Sequence, residues 1–244
     1  MRPTRAQAFV DKLAGLRFDN AFNPYAEACP DHDSKDAAAI RKRNLKLVLD
    51  AALRNGVDSV WIARDLGYRG GRRTGLPLTD EVHLAWYAAL LATPPLKRAT
   101  NGPVVAERTA TVVWHTLRSI RRPIFLWNVF PLHPHAPRDP VSNRSHTPAE
   151  RVSCRPLLLW LLDMLQPDTV VAIGRDAHTA LKDLGIATLN VRHPSYGGQS
   201  DFVNGLAALY KLPELADRVI RPGMLEPTCS LASRVKGQGV LRRK

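Results

Sequence analysis

The stretch Asp58–Gly75, DSVWIARDLGYRGGRRTG, decides the fold. It opens with an apolar run, Val60-Trp61-Ile62-Ala63, that shows no polar alternation, and it breaks into a loop of Arg and Gly. A run of this kind reads as a short strand (Asp58–Ala63) covered on both faces, as in a parallel sheet. Three more segments are read as strands: Pro123–Asn128 (PIFLWN), Asp168–Ile173 (DTVVAI) and Ala187–Val191 (ATLNV). Helical segments fill the intervals. Thr147-Pro148-Ala149-Glu150 is a capping box with Pro at the first helical position, and its helix extends to about Gln166. Others are read over Ser34–Asn55, closed by Gly56, over Asp80–Leu91, capped by Thr79, and over Glu107–Ile120, Arg175–Leu184 and Ser200–Leu209. Thr4-Arg5-Ala6-Gln7 reads as a capping box for a short N-terminal helix. Strands alternating with helices predict an α/β fold: a three-layer α/β/α sandwich around a central, mainly parallel four-stranded sheet. Residues 1–215 are expected to form one domain. Residues 216–244, with Arg234, Lys236, Arg242, Arg243 and Lys244, are expected to form a basic, partly flexible tail.

Composition limits the function. The chain has 244 residues, 45% of them hydrophobic, which excludes a disordered chain. Its longest apolar stretch, near Pro156–Leu165, falls short of the roughly 18 residues that span a bilayer, so no membrane is expected. The start, MRPTRAQAFVDKLAG, has no apolar core of a leader peptide. Cys29, Cys154 and Cys229 are scattered, giving neither a disulfide framework nor a paired metal signature, and a reducing cytoplasm is the expected location. Lys and Arg number 35 against 22 Asp and Glu, a formal charge of +13 that favours a polyanionic partner, most often nucleic acid.

In an open parallel sheet, ligands sit beyond the carboxyl ends of the strands. The segment after the first strand carries Arg64 and Asp65, the second strand ends on Asn128, and the fourth leads into Arg192-His193-Pro194-Ser195-Tyr196. A carboxylate, an amide and an imidazole therefore meet at one edge. Each alone has a structural reading, as a loop cap, a turn amide or a surface histidine. Three at the proper strand ends point to a site. A phosphate-transfer enzyme on such a sheet would need a Walker loop or an acidic metal cluster, and neither is present in the sequence.

These segments resemble the uracil-DNA glycosylase superfamily. The likeness spans roughly Phe22 to Tyr210. Ala63-Arg64-Asp65-Leu66-Gly67 falls where that superfamily has its first motif, and Thr74-Gly75-Leu76-Pro77-Leu78 is similar to a segment of the single-strand-selective branch. Leu126-Trp127-Asn128-Val129-Phe130-Pro131-Leu132 is similar to the base-reading segment, and His193-Pro194-Ser195 matches the last motif. Gly67-Tyr68-Arg69-Gly70, Trp127 through His135, and Ser142-Asn143-Arg144 with Thr147-Pro148 fit bacterial members most closely.

The resemblance implies a monofunctional DNA glycosylase that flips a pyrimidine nucleotide out of DNA and hydrolyses its N-glycosidic bond. Asp65 would stabilise the cationic sugar and orient water, and His193 would donate to the departing base. Asn128 would pair with the pyrimidine edge, with Arg64, Gly67, Tyr68, Leu78 and Phe130 lining the base pocket. Arg69, Arg72, Arg73, Arg192, Ser195 and Tyr196 would contact DNA, with Tyr196 a candidate wedge. No lysine stands at these strand ends, so no Schiff base is expected. No cofactor, iron–sulfur cluster or metal is expected, and His133-Pro134-His135 reads as a loop edge rather than a ligand pair. A monomer acting on single- or double-stranded DNA is expected.

Departures from the superfamily pattern matter too. Gly67 stands where strict uracil enzymes carry a Tyr that blocks pyrimidine C5, and Leu78 where relatives stack a Phe. Both suggest a pocket open to 5-substituted pyrimidines such as 5-hydroxymethyluracil or bulkier bases of phage DNA, in repair or defence. Arg64 and Leu66 in the first motif keep open the alternative of an inactive nucleic-acid-binding protein of the same fold.

Overall fold

The computed structural model describes residues 3–215, so the basic tail lies outside the described residues. In chain order the elements are α1 (Arg5–Ala14), β1 (Ala21–Phe22), α2 (Ala37–Asn55), β2 (Ser59–Ala63) and α3 (Gly71–Thr74). A 3-10 turn (Glu81–His83) leads into α4 (Leu84–Leu90), followed by α5 (Arg108–Ile120), β3 (Ile124–Asn128) and β4 (His133–Pro134). The last are α6 (Pro148–Leu165), β5 (Thr169–Ile173), α7 (Arg175–Lys182), β6 (Leu189–Val191) and α8 (Gln199–Tyr210).

The main sheet has the order β3-β2-β5-β6, and every pairing in it is parallel. Its strands fall in the four segments read as strands from the sequence. Parallel pairing needs long crossovers, which the helices supply, and both faces are then covered. One face carries Trp127, edge-on to Phe9 of α1 at 5.5 Å, with Phe9 in turn against Trp160 of α6. On the other face Trp61 meets Phe202 of α8 edge-on at 6.1 Å and donates its indole N–H to the Tyr210 hydroxyl at 2.9 Å. The Tyr87 ring of α4 lies tilted against Trp114 of α5, centroids 5.0 Å apart, and its hydroxyl accepts the Leu126 amide at 3.0 Å. Helices thus flank both faces of the sheet, as the strand–helix alternation predicts.

The capping box at Thr147 forms in full: the Glu150 amide donates to Thr147, and the Glu150 carboxylate accepts the Thr147 amide. Two expected caps differ. Thr4 accepts the Gln7 amide, but Gln7 turns to Asp11, so that box is half formed. The helix assigned to Asp80–Leu91 begins as a 3-10 turn capped by Asp80 rather than Thr79. Thr79 is engaged elsewhere, donating to the Pro77 carbonyl and accepting the Trp114 indole.

Candidate active site

Strand register places the site. Ala63 pairs with Asn128 at the ends of β2 and β3, and Ile173 pairs with Val191 at the ends of β5 and β6. Asp65 and His193 each lie two residues past a strand end, so carboxylate, amide and imidazole share the carboxyl edge of the sheet. The β2 and β3 exits are laced together: the Val129 amide donates to the Ala63 carbonyl and the Phe130 amide to the Arg64 carbonyl.

Asn128 is 1% exposed, and neither its amide nitrogen nor its carbonyl oxygen has a hydrogen-bond partner. Such a group destabilises the fold by about 1–3 kcal/mol, and a native exception of this kind calls for an explanation. An amide presents donor and acceptor side by side, the complement of a pyrimidine edge.

His193 is held in one protonation state. The Ser195 amide donates to its Nδ1 at 3.2 Å, and the Ser195 hydroxyl lies 2.7 Å from the same atom. Nδ1 is therefore an acceptor, and the proton of the neutral ring sits on Nε2. Burial, with the Arg64 and Arg192 charges nearby, pushes its pKa down to about 4, so the ring is neutral at physiological pH. The loop holding it is tight: a Cβ at Gly198 would lie 2.2 Å from the His193 carbonyl oxygen, so only glycine fits there.

Asp65 lies against two donors. One oxygen accepts from Arg64 Nε at 2.6 Å, and the other contacts His146 Nδ1. Arg64 also reaches Asp176 at the start of α7 at 2.8 Å, tying the β2 loop to the far side of the sheet edge. Arg64, expected to line the base pocket, is thus engaged by two carboxylates. The His146 ring rests against Phe130, centroids 5.8 Å apart, and Phe130 is fully buried with its other side edge-on to Phe18. Phe130, expected to line the base pocket, thus packs against both Phe18 and His146.

The expected DNA contacts divide. Arg69 and Arg192 are exposed, as is Tyr196, which is 96% exposed with a left-handed backbone, φ 50°. Arg72 and Arg73 are buried, at 3% and 8% exposure. Arg72 lies over the Phe22 ring, bonds His133 Nδ1 at 3.1 Å and donates to the Pro140 carbonyl. Arg73 pairs with Glu81. Both were expected at the DNA, and the structure places both inside the fold with internal partners. Ser195, expected at the DNA, directs both its amide and its hydroxyl to His193. Tyr68 is half-buried, its amide bonded to Asn143, and Leu78 is buried with φ 55°. His133 is engaged by Arg72, the Ser142 carbonyl and Asn143, and His135 by the Ala136 carbonyl.

The space beside Gly67 is filled. A Cβ there would lie 2.4 Å from the Glu107 carboxyl, and one at Gly70 would lie 2.2 Å from it. Burial and the Asp80 charge push the Glu107 pKa up to about 7. Glu107 and His146 were not expected from sequence. Both stand just before a helix, Glu107 ahead of α5 and His146 one residue ahead of the Thr147 cap. The fold alone carries them to the site.

The sequence profile described as the uracil DNA glycosylase superfamily matches residues 67–211, more than half of the chain. The chain belongs to that superfamily. The matched region includes Asn128, His146 and His193 and begins two residues past Asp65. Membership makes the protein a DNA glycosylase by family. Its fold is similar to the crystal structure of wild-type SMUG2 from Pedobacter heparinus, with a TM-score of 0.56 over 84% of this chain and 98% of that one. The identity is 13%, so this likeness concerns the fold alone. No curated protein matches the chain significantly. No helix among the described residues is long and apolar enough to cross a membrane.

Proposed function

We propose that the protein is a monofunctional pyrimidine-DNA glycosylase. The observation that carries the reading is Asn128: a buried amide with both polar atoms unpartnered, at the strand edge shared with Asp65 and His193. A binding protein without chemistry has no need of a neutral histidine locked with its proton on Nε2. In the proposed reaction a flipped pyrimidine pairs with Asn128. As the C1′–N1 bond breaks, the base takes the electron pair, and His193 Nε2–H donates to its O2. A neutral donor fixed in place stabilises such developing charge without reorganisation. The Asp65 carboxylate faces the cationic sugar. Arg69 and Arg192 meet phosphates, and Tyr196 stands exposed as a wedge.

The substrate class follows from the Gly67 position. The resemblance sets it beside pyrimidine C5, and the Glu107 carboxyl occupies the volume that glycine leaves. The wall there is polar rather than empty. It favours a 5-hydroxymethyl group, which can hydrogen-bond to it, over the apolar methyl of thymine.

The test is base release from oligonucleotides carrying uracil, thymine, 5-hydroxymethyluracil or glucosylated pyrimidines, read by alkaline cleavage at abasic sites. Release of uracil and 5-hydroxymethyluracil with thymine spared is expected, and Asp65→Asn is expected to slow release by about 10²–10⁴-fold. Failure to release any base, with DNA binding equal in wild type and Asp65→Asn, would show an inactive binding protein instead.

A further inference from the structure

We propose that His146 and Asp65 act as a dyad in which His146, rather than Asp65, takes the proton from the attacking water. The proposal rests on the glycosylase reading above.

Both carboxylate oxygens of Asp65 are engaged, one by Arg64 Nε and the other by His146 Nδ1. The two side chains are nearly sealed from solvent, at 9% exposure for His146 and 6% for Asp65. Each Asp65 oxygen already faces a nitrogen of the protein, so neither is left free to receive a proton from water. The imidazole is better suited. With Nδ1–H donated to Asp65, the neutral ring presents the Nε2 lone pair, and Nε2 has no hydrogen-bond partner among the described residues. Phe130 backs the ring and fixes its plane. A base oriented through its other nitrogen by a buried carboxylate is the arrangement that hydrolases use to activate an oxygen nucleophile.

The balance is complete. Water oxygen forms a bond to C1′ while the C1′–N1 bond breaks. The electron pair leaves with the base as an anion met by His193 Nε2–H. The water proton passes to His146 Nε2, and Asp65 stabilises the imidazolium. Two histidines thus divide the work: His193 is a donor to the leaving group, and His146 an acceptor from the nucleophile. The charged groups around His146 are Asp65 and Arg64 from the β2 loop, and Arg144 from its own loop, which is paired with Glu150 of α6.

The test measures single-turnover uracil release as a function of pH for wild type, His146→Ala and His146→Asn, with melting temperature and DNA affinity as controls. Asn keeps an N–H for Asp65 but has no basic nitrogen. The dyad predicts that both variants fold, bind DNA and lose about 10²–10⁴-fold in rate. It also predicts that both lose the limb over which the wild-type rate rises with pH, and that added imidazole restores part of the rate to His146→Ala. If His146→Asn keeps the wild-type rate and pH limb, His146 only positions Asp65 and the dyad is overturned. If His146→Asn fails to fold, His146→Ala and its imidazole rescue decide; if His146→Ala fails to fold, the rate and pH limb of His146→Asn decide. A wild type that releases no base overturns both this inference and the glycosylase reading, whereas an active wild type with an unaffected His146→Asn overturns the dyad alone.

Discussion

Asn128 and His133 lie five residues apart on the same exit from β3 and are equally buried, at 1% and 0% exposure. Asn128 has no partner at all, whereas His133 has three. His133 is neutral because burial and the Arg72 charge push its pKa down to about 3, and it fastens the loop after β4 to α3. The contrast separates a polar group that the fold uses from one that the fold leaves open. Burial alone does not distinguish them; the state of the partners does.

The largest expected effect comes from erasing the open group. Asn128→Leu is expected to lower base release by at least about 100-fold, the scale of losing one fixed transition-state contact. It should also stabilise the protein by about 1–2 kcal/mol in denaturant unfolding, since it removes two unsatisfied polar atoms of similar volume. A loss of stability would mean that the amide has partners and would break the comparison.

Next comes the engaged group. His133→Ala is expected to destabilise by about 2–3 kcal/mol, because the Arg72 guanidinium loses a buried partner, while release per folded molecule changes little. The pH dependence has a definite sign. A histidine whose folded pKa is lowered from 6.5 to about 3 contributes fully above 6.5. Its contribution falls as pH drops from 6.5 toward 3, because the unfolded state binds the proton more readily. His133→Gln should therefore show a shallower fall in melting temperature between pH 6.5 and 4 than wild type does.

The smallest effect sharpens the same contrast among the arginines of one loop. Arg69→Ala should reduce the slope of log affinity against log salt by about one, the loss of one phosphate contact. Arg72→Met should leave that slope unchanged and lower the melting temperature instead.

The ends of β2 and β3 were legible because a strand buried along its whole length is written as a nearly unbroken apolar run. PIFLWN marks its own end at Asn128, and HPS follows the last strand directly. The Thr147–Glu150 box was legible because both halves are local. The two-residue strands β1 and β4 were not: they pair across more than a hundred residues, Ala21 with Pro134 and Phe22 with His133, and two residues carry no period. His146 and Glu107 escaped for the same reason, since the residues they meet, Asp65 and Gly67, are 81 and 40 positions away in sequence. The arginines of GYRGGRRT show the opposite error. A run of basic residues reads as a DNA-facing stripe, but a four-residue helix, Gly71–Thr74, turns Arg72 and Arg73 inward.

Gly67 and Glu107 compete for one volume, and that makes them a single unit of inheritance. The carboxyl sits at the end of a flexible side chain, so a residue larger than glycine at 67 evicts it rather than unfolding the loop. A lineage cannot acquire an aromatic wall at 67 and keep the carboxyl where it is. A substitution at either site is therefore silent or costly according to what the other already holds.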